Sequence, residues 1–257
     1  MSNPTVLVKI CGVRNLAGAQ AAVDAGADLL GFICYPPTRR YVTPAQIAAI
    51  LSGLRRRSSV RAVGVFVNQP VEVMNALAAD CGLDLIQLSG EEGAEVMPLL
   101  NRPVIQVMRP LGPLPNPSPN AGGGATSVMT SSLAPTFAGG HWHTMFATSS
   151  PPPALGEGLG RGPAVRSRLF ATLLEPPAAG WGGAGQLLDF RVARAITALP
   201  DRPPVFLAGG LQPENVAGAI AAVRPDGVDV SSGVERHGVQ DRARIAAFVA
   251  AAKGAIT

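Results

Sequence analysis

Short runs of apolar, often β-branched residues recur along the chain. Each run ends in small or polar residues, and an alanine-rich amphipathic stretch usually follows. Runs this short that are apolar on both faces are typical of buried parallel strands. The pattern therefore predicts eight parallel strands, over residues 6–12, 29–35, 62–68, 83–89, 103–109, 170–175, 205–210 and 227–233.

The stretches between these runs have the signals of helices. Asn15 precedes one stretch, and Thr43-Pro44 joins an N-cap residue to a proline in the first turn of another. Seven helices are predicted, over residues 16–27, 45–57, 70–81, 91–100, 188–199, 213–223 and 241–253. Strands that alternate with helices over 257 residues favour an α/β fold of the (β/α)8 TIM-barrel type over an open doubly wound sheet. We expect one barrel domain over 1–257.

The segment between the fifth and sixth strands breaks this pattern. Residues 110–169 contain 10 of the 24 prolines and 10 of the 30 glycines, and they have no helical period. A structureless loop of this length is unusual inside a compact domain. We interpret 110–169 either as a low-complexity, disordered-looking insertion that replaces the fifth helix or as a stretch altered by a compensated frameshift.

Composition excludes several classes of function. The net charge is +4, but the basic residues are scattered and aromatic residues make up only 5%, which argues against a nucleic-acid partner. The three cysteines lack metal-ligand spacing, and their odd number indicates free thiols in a reducing compartment. His141, His143 and His237 do not form a metal site either. No apolar run reaches the roughly 18 residues of a membrane span. We expect a cytoplasmic protein with no membrane partner and no metal.

Candidate catalytic residues lie at the carboxyl ends of the strands, where barrels place their active sites. The first strand ends in Lys9-Ile10-Cys11-Gly12, and alternation puts Lys9 and Cys11 on the interior face, with Cys11 at the rim. A thiol beside a positive group loses its proton more easily. The alternative for Cys11 is a small core residue, which is our interpretation of Cys34 and Cys81.

Small residues at two other strand ends favour a phosphate site. Glycines and serines end the seventh and eighth strands, at Gly209, Gly210, Ser231, Ser232 and Gly233. Backbone N–H groups of such loops bind phosphate in many barrels, although tight turns alone are the alternative. Arg40, after the second strand, is able to bind a carboxylate through two parallel hydrogen bonds, or is a solvated loop residue.

Two carboxylates complete the candidate site. Asp229 shares its face with Ser231 and points inward, so it needs a partner, either Lys9 or a substrate amine. Glu175 ends the sixth strand and is a candidate general acid. Asp189 is an alternative acid, but it opens a helix.

These motifs, in this order, resemble the phosphoribosylanthranilate isomerase family of tryptophan biosynthesis. The resemblance covers residues 6–109 and 170–254. Its most specific pieces are Lys9-Ile-Cys-Gly12, Tyr35-Pro-Pro-Thr-Arg-Arg-Tyr41, Val63-Gly-Val-Phe-Val-Asn68, Ile86-Gln-Leu-Ser-Gly90, Ala208-Gly-Gly-Leu-Gln-Pro-Glu-Asn215 and Gly227-Val-Asp-Val-Ser-Ser-Gly-Val-Glu235.

The resemblance implies an Amadori rearrangement of N-(5-phosphoribosyl)anthranilate to 1-(2-carboxyphenylamino)-1-deoxyribulose 5-phosphate, without a cofactor. Cys11 matches the family's general base. The general acid is an aspartate in the family, at the position where this chain has Glu175. Arg40 matches the arginine that holds the anthranilate carboxylate, and Asp229 matches the aspartate near the anthranilate amine. The glycines and serines after the seventh and eighth strands match the phosphate site.

Two departures leave an alternative open. Glu175 replaces the aspartate, and Ser89 stands where the family often has histidine. The alternative is a relic barrel that binds phosphate with little or no turnover. Two other phosphate-binding barrel enzymes are rival interpretations that the sequence disfavours. Indole-glycerol-phosphate synthase requires a lysine at the rim, which this chain lacks, and a histidine-pathway isomerase requires an aspartate where this chain has Cys11. The expected partner is a phosphorylated small molecule, and the expected assembly is a monomer or a homodimer.

Overall fold

Eight parallel strands close into a barrel in the computed structural model, which describes residues 6–111, 136–137, 168–177 and 188–255. The strands are β1 (Leu7–Cys11), β2 (Leu29–Ile33), β3 (Arg61–Phe66), β4 (Leu85–Leu88), β5 (Val104–Met108), β6 (Leu169–Leu174), β7 (Val205–Leu207) and β8 (Gly227–Val230). Their order around the ring is β1-β8-β7-β6-β5-β4-β3-β2. The predicted (β/α)8 architecture is confirmed. Most of the predicted insertion, 112–135 and 138–167, lies outside the described residues.

Helices cover the outside of the barrel. They are α1 (Leu16–Ala25), α2 (Pro44–Gly53), α3 (Val71–Asp80), α4 (Phe190–Thr197), α5 (Val216–Val223) and α6 (Arg242–Gly254). The Asn15 side chain caps α1, and Thr43 forms a capping box with Gln46 at α2, as the sequence predicts.

The α-helix predicted over 91–100 is wrong. A 3₁₀ helix, Ala94–Leu99, forms there instead. Pro98 lies inside it and has no N–H group to donate to a carbonyl four residues earlier, so an α-helical hydrogen-bond ladder cannot run through this turn.

The strand register places alternate side chains inside the barrel. One apolar cluster fills the interior and comprises Leu29, Val63, Leu85, Ile105, Val107, Ala171, Leu173, Phe206 and Ala208. A second and larger cluster lies between the strands and the helices. The register aligns Lys9 with Asp229 and Cys11 with Gly31, so β1 brings its two polar residues to the interior just above the apolar layer. The predicted interior face of β1 is confirmed.

Three aspartates form a repeated ion-pair motif at the opposite, amino-terminal end of the barrel. Each immediately precedes a strand, accepts a hydrogen bond from the backbone N–H at the start of the preceding strand, and pairs with a cation. The N–H donors are Val8 to Asp28 at 2.8 Å, Ala62 to Asp84 at 2.7 Å and Val205 to Asp226 at 2.7 Å. The cations are Lys253, Arg57 and Arg202, in the same order. These contacts tie β1 to β2, β3 to β4 and β7 to β8.

Candidate active site

An open cleft lies at the carboxyl ends of the strands. All nine residues that the sequence analysis selects line it: Cys11, Arg40, Glu175, Gly209, Gly210, Asp229, Ser231, Ser232 and Gly233. The alternative acid Asp189 does not line this cleft. It caps α4 and accepts a hydrogen bond from the backbone N–H of Arg191. Cys34 and Cys81 are buried outside the cleft, as core residues.

Cys11 is the last residue of β1 and is 6% exposed. Burial raises the pKa of its thiol above the ordinary value, while the Lys9 ammonium beside it lowers the pKa and Asp229 raises it. The expectation of an acidified thiol, which rested on the positive neighbour alone, is wrong, because the effect of removal from water on the pKa outweighs that of the ammonium. Lys9 still provides the charge that stabilises a thiolate formed at this position.

Lys9 and Asp229 form an ion pair beneath Cys11, with Nζ 2.8 Å from Oδ1. The Lys9 side chain is fully buried, whereas that of Asp229 is 11% exposed and lines the cleft. Burial alone would lower the pKa of Lys9, but Asp229 and Cys11 together raise it above its ordinary value, so the ammonium stays charged at neutral pH. Of the two partners expected for Asp229, the structure shows Lys9.

Glu175 follows β6 and accepts a hydrogen bond from Nη2 of Arg109, which follows β5. Burial raises the pKa of the Glu175 carboxyl, and this effect exceeds the opposing effect of the Arg109 charge. A raised pKa favours the protonated form that a general acid requires. Arg109 was not among the site residues predicted from the sequence. Its alternation along the strand could have identified it, because Arg109 has the same parity as the interior residues Ile105 and Val107.

Arg40 uses its guanidinium fork on a carboxylate of the protein itself. Its Nε donates to Oε1 of Glu235 at 2.7 Å, and its Nη2 donates to Oε2 at 3.0 Å. Arg39 also donates to Oε2 at 3.0 Å. Burial raises the pKa of Glu235, but the two guanidinium groups outweigh burial and hold it below its ordinary value. The two-bond arrangement expected between Arg40 and a substrate is therefore occupied by Glu235, a residue to which the sequence analysis gave no role.

The loops after β7 and β8 form a cradle of backbone N–H groups. Gly209 and Gly210 both adopt positive φ, at 90° and 60°, where a residue with a side chain is strained. A Cβ at Gly233 would overlap the carbonyl oxygen of Leu211, so the two loops approach closely only with glycine there. Within the described part of the chain, no residue accepts a hydrogen bond from the backbone N–H of Gly209, Gly210, Ser232 or Gly233. All four residues line the cleft, and backbone N–H groups at such a position suit an anion.

The rest of the cleft wall combines apolar side chains with four residues that carry polar groups, namely Tyr35, Thr38, Gln87 and Ser89. Ile33, Val65 and Val67 line one side, and they suit a flat hydrocarbon ring. Gln87 also lines the cleft and donates from Nε2 to Oγ of Ser89 at 3.0 Å. Its Oε1 is buried and has no hydrogen-bond partner among the described residues. The interior parity that Gln87 shares with Leu85 could have identified it.

The described ranges contain no candidate metal site and no candidate membrane span. No group of three or more histidine, cysteine, aspartate or glutamate side chains is placed to hold a metal ion there. His141 and His143 fall outside those ranges. In the same residues, no helix has the length and apolar character that crossing a membrane requires.

Comparison with known proteins gives a consistent result. A family model described as N-(5'-phosphoribosyl)anthranilate (PRA) isomerase matches residues 8–112 and 165–251. The N-(5'-phosphoribosyl)anthranilate isomerase of Symbiobacterium thermophilum is 39% identical over 264 residues, covering 96% of this chain and 98% of that protein. The crystal structure of the Thermotoga maritima phosphoribosyl anthranilate isomerase is similar with a TM-score of 0.69 and 30% identity, covering 97% and 99% of the two chains. A structure of this isomerase in complex with reduced 1-(o-carboxyphenylamino)-1-deoxyribulose 5-phosphate has a TM-score of 0.66 at 30% identity and the same coverage.

Proposed function

Because this chain belongs to the N-(5'-phosphoribosyl)anthranilate isomerase family, we propose that Cys11 and Glu175 are the base and the acid of its reaction. The enzyme converts N-(5-phosphoribosyl)anthranilate to 1-(2-carboxyphenylamino)-1-deoxyribulose 5-phosphate, a step of tryptophan biosynthesis. Two proton transfers move a carbonyl group along the sugar. The protein must therefore hold both anionic ends of the substrate and place one acid and one base between them.

The cleft has a suitable partner for each end of the substrate. The unpaired N–H groups after β7 and β8 bind the phosphate. Arg40 binds the anthranilate carboxylate through the guanidinium nitrogen that Glu235 does not occupy, Nη1. The aryl ring packs on the wall that Val65 and Val67 form, and the bridging amine lies near Asp229.

The chemistry then proceeds by two proton transfers. Glu175 gives its proton to the ribose ring oxygen, the C1′–O bond breaks, and the nitrogen lone pair forms an iminium group with C1′. Cys11 next removes the proton from C2′, and the electron pair of that C–H bond neutralises the iminium group to give an enolamine. Tautomerisation of the enolamine produces the ketone. Lys9 stabilises the thiolate that acts as base, and the raised pKa of Glu175 keeps a proton available.

One observation supports these roles most strongly: Cys11 and Glu175 line the same cleft from separate strands. β1 and β6 are three strands apart in the ring of eight, so the two groups approach a bound sugar from different sides. An acid and a base that act on different atoms of one substrate require this arrangement. We further propose that the enzyme needs no cofactor, that it is a cytoplasmic protein, and that it works as a monomer or a homodimer.

The test is a turnover assay on the purified chain that follows the change in anthranilate fluorescence, together with titration of the reduced product analogue. Turnover and analogue binding are both expected. Glu175→Gln should abolish turnover but keep analogue binding, whereas Glu175→Asp should retain turnover, because it preserves the carboxyl group. Analogue binding without turnover by the unaltered chain would instead identify the relic barrel. Equal turnover by the two Glu175 variants would remove Glu175 from the mechanism.

A further inference from the structure

Arg109 lies beside the proposed acid but has no role in the reaction described so far. We propose that Arg109 is a positioning residue: it holds the carboxyl group of Glu175 at the place where the substrate's ring oxygen binds. This inference rests on the proposed role of Glu175 and extends it to a residue on the neighbouring strand. The family has an aspartate at the position of Glu175. The contact with Arg109 explains how a glutamate, which is longer by one methylene, can replace it as the acid.

The geometry fixes Arg109 at two points. β5 and β6 are hydrogen-bonded neighbours, and the backbone N–H of Glu175 donates to the carbonyl oxygen of Met108 at 3.1 Å, so Arg109 and Glu175 leave adjacent strands side by side. Nη2 of Arg109 donates both to Oε1 of Glu175 and to the backbone carbonyl oxygen of Ser89, the latter at 3.0 Å. The guanidinium therefore links the ends of three consecutive strands, β4, β5 and β6.

Both side chains of this pair are largely withdrawn from water, at 14% exposure for Arg109 and 13% for Glu175. A glutamate has one more rotatable bond than an aspartate, and its carboxyl group needs an external contact to stay in one orientation. A displacement of about 1 Å at a reacting group is enough to reduce the rate on the order of 10²-fold. The contact with Arg109 supplies that orientation, because Arg109 is itself anchored on backbone.

The charges around Glu175 give a second, independent consequence. Arg109 faces it from β5, Lys9 from β1 and Asp229 from β8. Burial raises the pKa of Glu175 most, Arg109 and Lys9 lower it, and Asp229 raises it. Removal of Arg109 should thus raise this pKa further. Since turnover needs the protonated acid, the alkaline limb of the kcat–pH profile should move to higher pH even as the maximal rate falls.

The experiment compares Arg109→Met and Arg109→Lys with the unaltered chain. For Arg109→Met we expect kcat to fall by about 10²-fold, KM to stay within about twofold, and the alkaline limb to move upward in pH. Arg109→Lys should keep the alkaline limb of the pH profile close to its original position, because the positive charge remains. It should restore only part of kcat, because the forked guanidinium group is lost. Arg57→Met is the matched control. It removes an arginine–carboxylate pair from the other end of the barrel, between Arg57 and Asp84 at 2.7 Å, and should leave kcat and the pH profile unchanged.

A double-mutant cycle shows whether Arg109 acts through Glu175. Arg109→Met should reduce kcat far more in the chain that has Glu175 than in the Glu175→Asp variant, because the shorter aspartate side chain is withdrawn from the guanidinium. Equal losses in the two backgrounds, or an unshifted pH profile in Arg109→Met, would overturn this inference. If Glu175→Gln is inactive while Arg109→Met behaves like the unaltered chain, only the inference fails. If Glu175→Gln is fully active, the proposed acid itself is wrong.

Discussion

The two ends of the barrel carry the same kind of ion pair but use it differently. At the amino-terminal end, Asp28, Asp84 and Asp226 each bind a cation and also accept a backbone N–H group from a neighbouring strand. At the carboxyl-terminal end, Asp229 and Glu175 each bind a cation and face an open cleft. The carboxylates of the first group also accept a backbone N–H group of a neighbouring strand, whereas those of the second group line the cleft.

This difference separates stability from chemistry within one fold. A carboxylate that bonds both a cation and the backbone has little capacity left for a substrate, and its loss leaves buried N–H groups without partners. A carboxylate in a largely buried pair that lines the cleft keeps hydrogen-bonding capacity for a substrate, and burial raises the pKa of one of them, Glu175. Substitutions at the two ends should therefore produce opposite patterns of damage, in activity at one end and in stability at the other.

The largest effect on activity is expected from Cys11→Ser. A hydroxyl is a far weaker base than a thiolate, so kcat should fall by about 10²- to 10⁴-fold, the range for a lost general base. Cys81→Ser is the control, since Cys81 is buried outside the cleft, and it should keep nearly all turnover. Steady-state kinetics by anthranilate fluorescence measures both. Unaltered activity in Cys11→Ser would refute the assignment of Cys11 as the base. It would also contradict the claim that substitutions at the carboxyl-terminal end reduce activity.

The next largest effect should come from Asp229→Asn, which should reduce both stability and activity. It leaves the fully buried Lys9 ammonium without a counter-charge, so unfolding free energy should fall by about 3–5 kcal/mol and turnover should fall as well. Urea denaturation followed by circular dichroism gives the first quantity. The double substitution Lys9→Met with Asp229→Asn should recover stability without recovering turnover. Recovery of both would mean that the pair is purely structural.

A smaller effect, on stability alone, is expected from Asp84→Asn at the amino-terminal end. The amide keeps an acceptor for the N–H of Ala62 but loses the charge that pairs with Arg57 in a solvent-exposed pair, so unfolding free energy should fall by up to about 1 kcal/mol. The ratio kcat/KM at 25 °C should not change. A loss of turnover that exceeds the loss of folded protein would contradict the division between the two ends.

The smallest effect is a pH dependence at Glu235. Its pKa is held below the ordinary value by Arg40 and Arg39 against the effect of burial, so its contribution to stability is present above the ordinary glutamate pKa of about 4.3 and is lost as pH falls through the lowered value. Glu235→Gln should remove this part of the acid-induced loss of stability, measured as urea midpoints between about pH 3 and pH 7. It should also raise KM, because Arg40 loses its support. An unchanged acid limb would show that Glu235 does not titrate with folding.

The sequence pattern predicts the barrel well because strand length, two-sided apolar character and interior parity are local properties. The same parity identified Cys11 and Asp229, and the position at the end of the sixth strand identified Glu175. The ion-pair partners of the site residues could not be predicted in this way. Arg109 is 66 residues from Glu175, and Arg40 is 195 residues from Glu235, so these pairs form only when the strands close into a ring. The direction of the Cys11 pKa shift was missed for a related reason, because the extent of burial depends on the whole assembled site.

The central claim, that Cys11 and Glu175 act on different atoms of one sugar, is tested most directly by a crystal structure with the reduced product analogue bound. We expect Sγ of Cys11 within about 3.5 Å of C2′ and a Glu175 oxygen within about 3.2 Å of the hydroxyl that derives from the ring oxygen. The phosphate should lie against the glycines after β7 and β8. An analogue bound in the cleft with both side chains on the same atom, or with either side chain out of reach of the sugar, would contradict the mechanism.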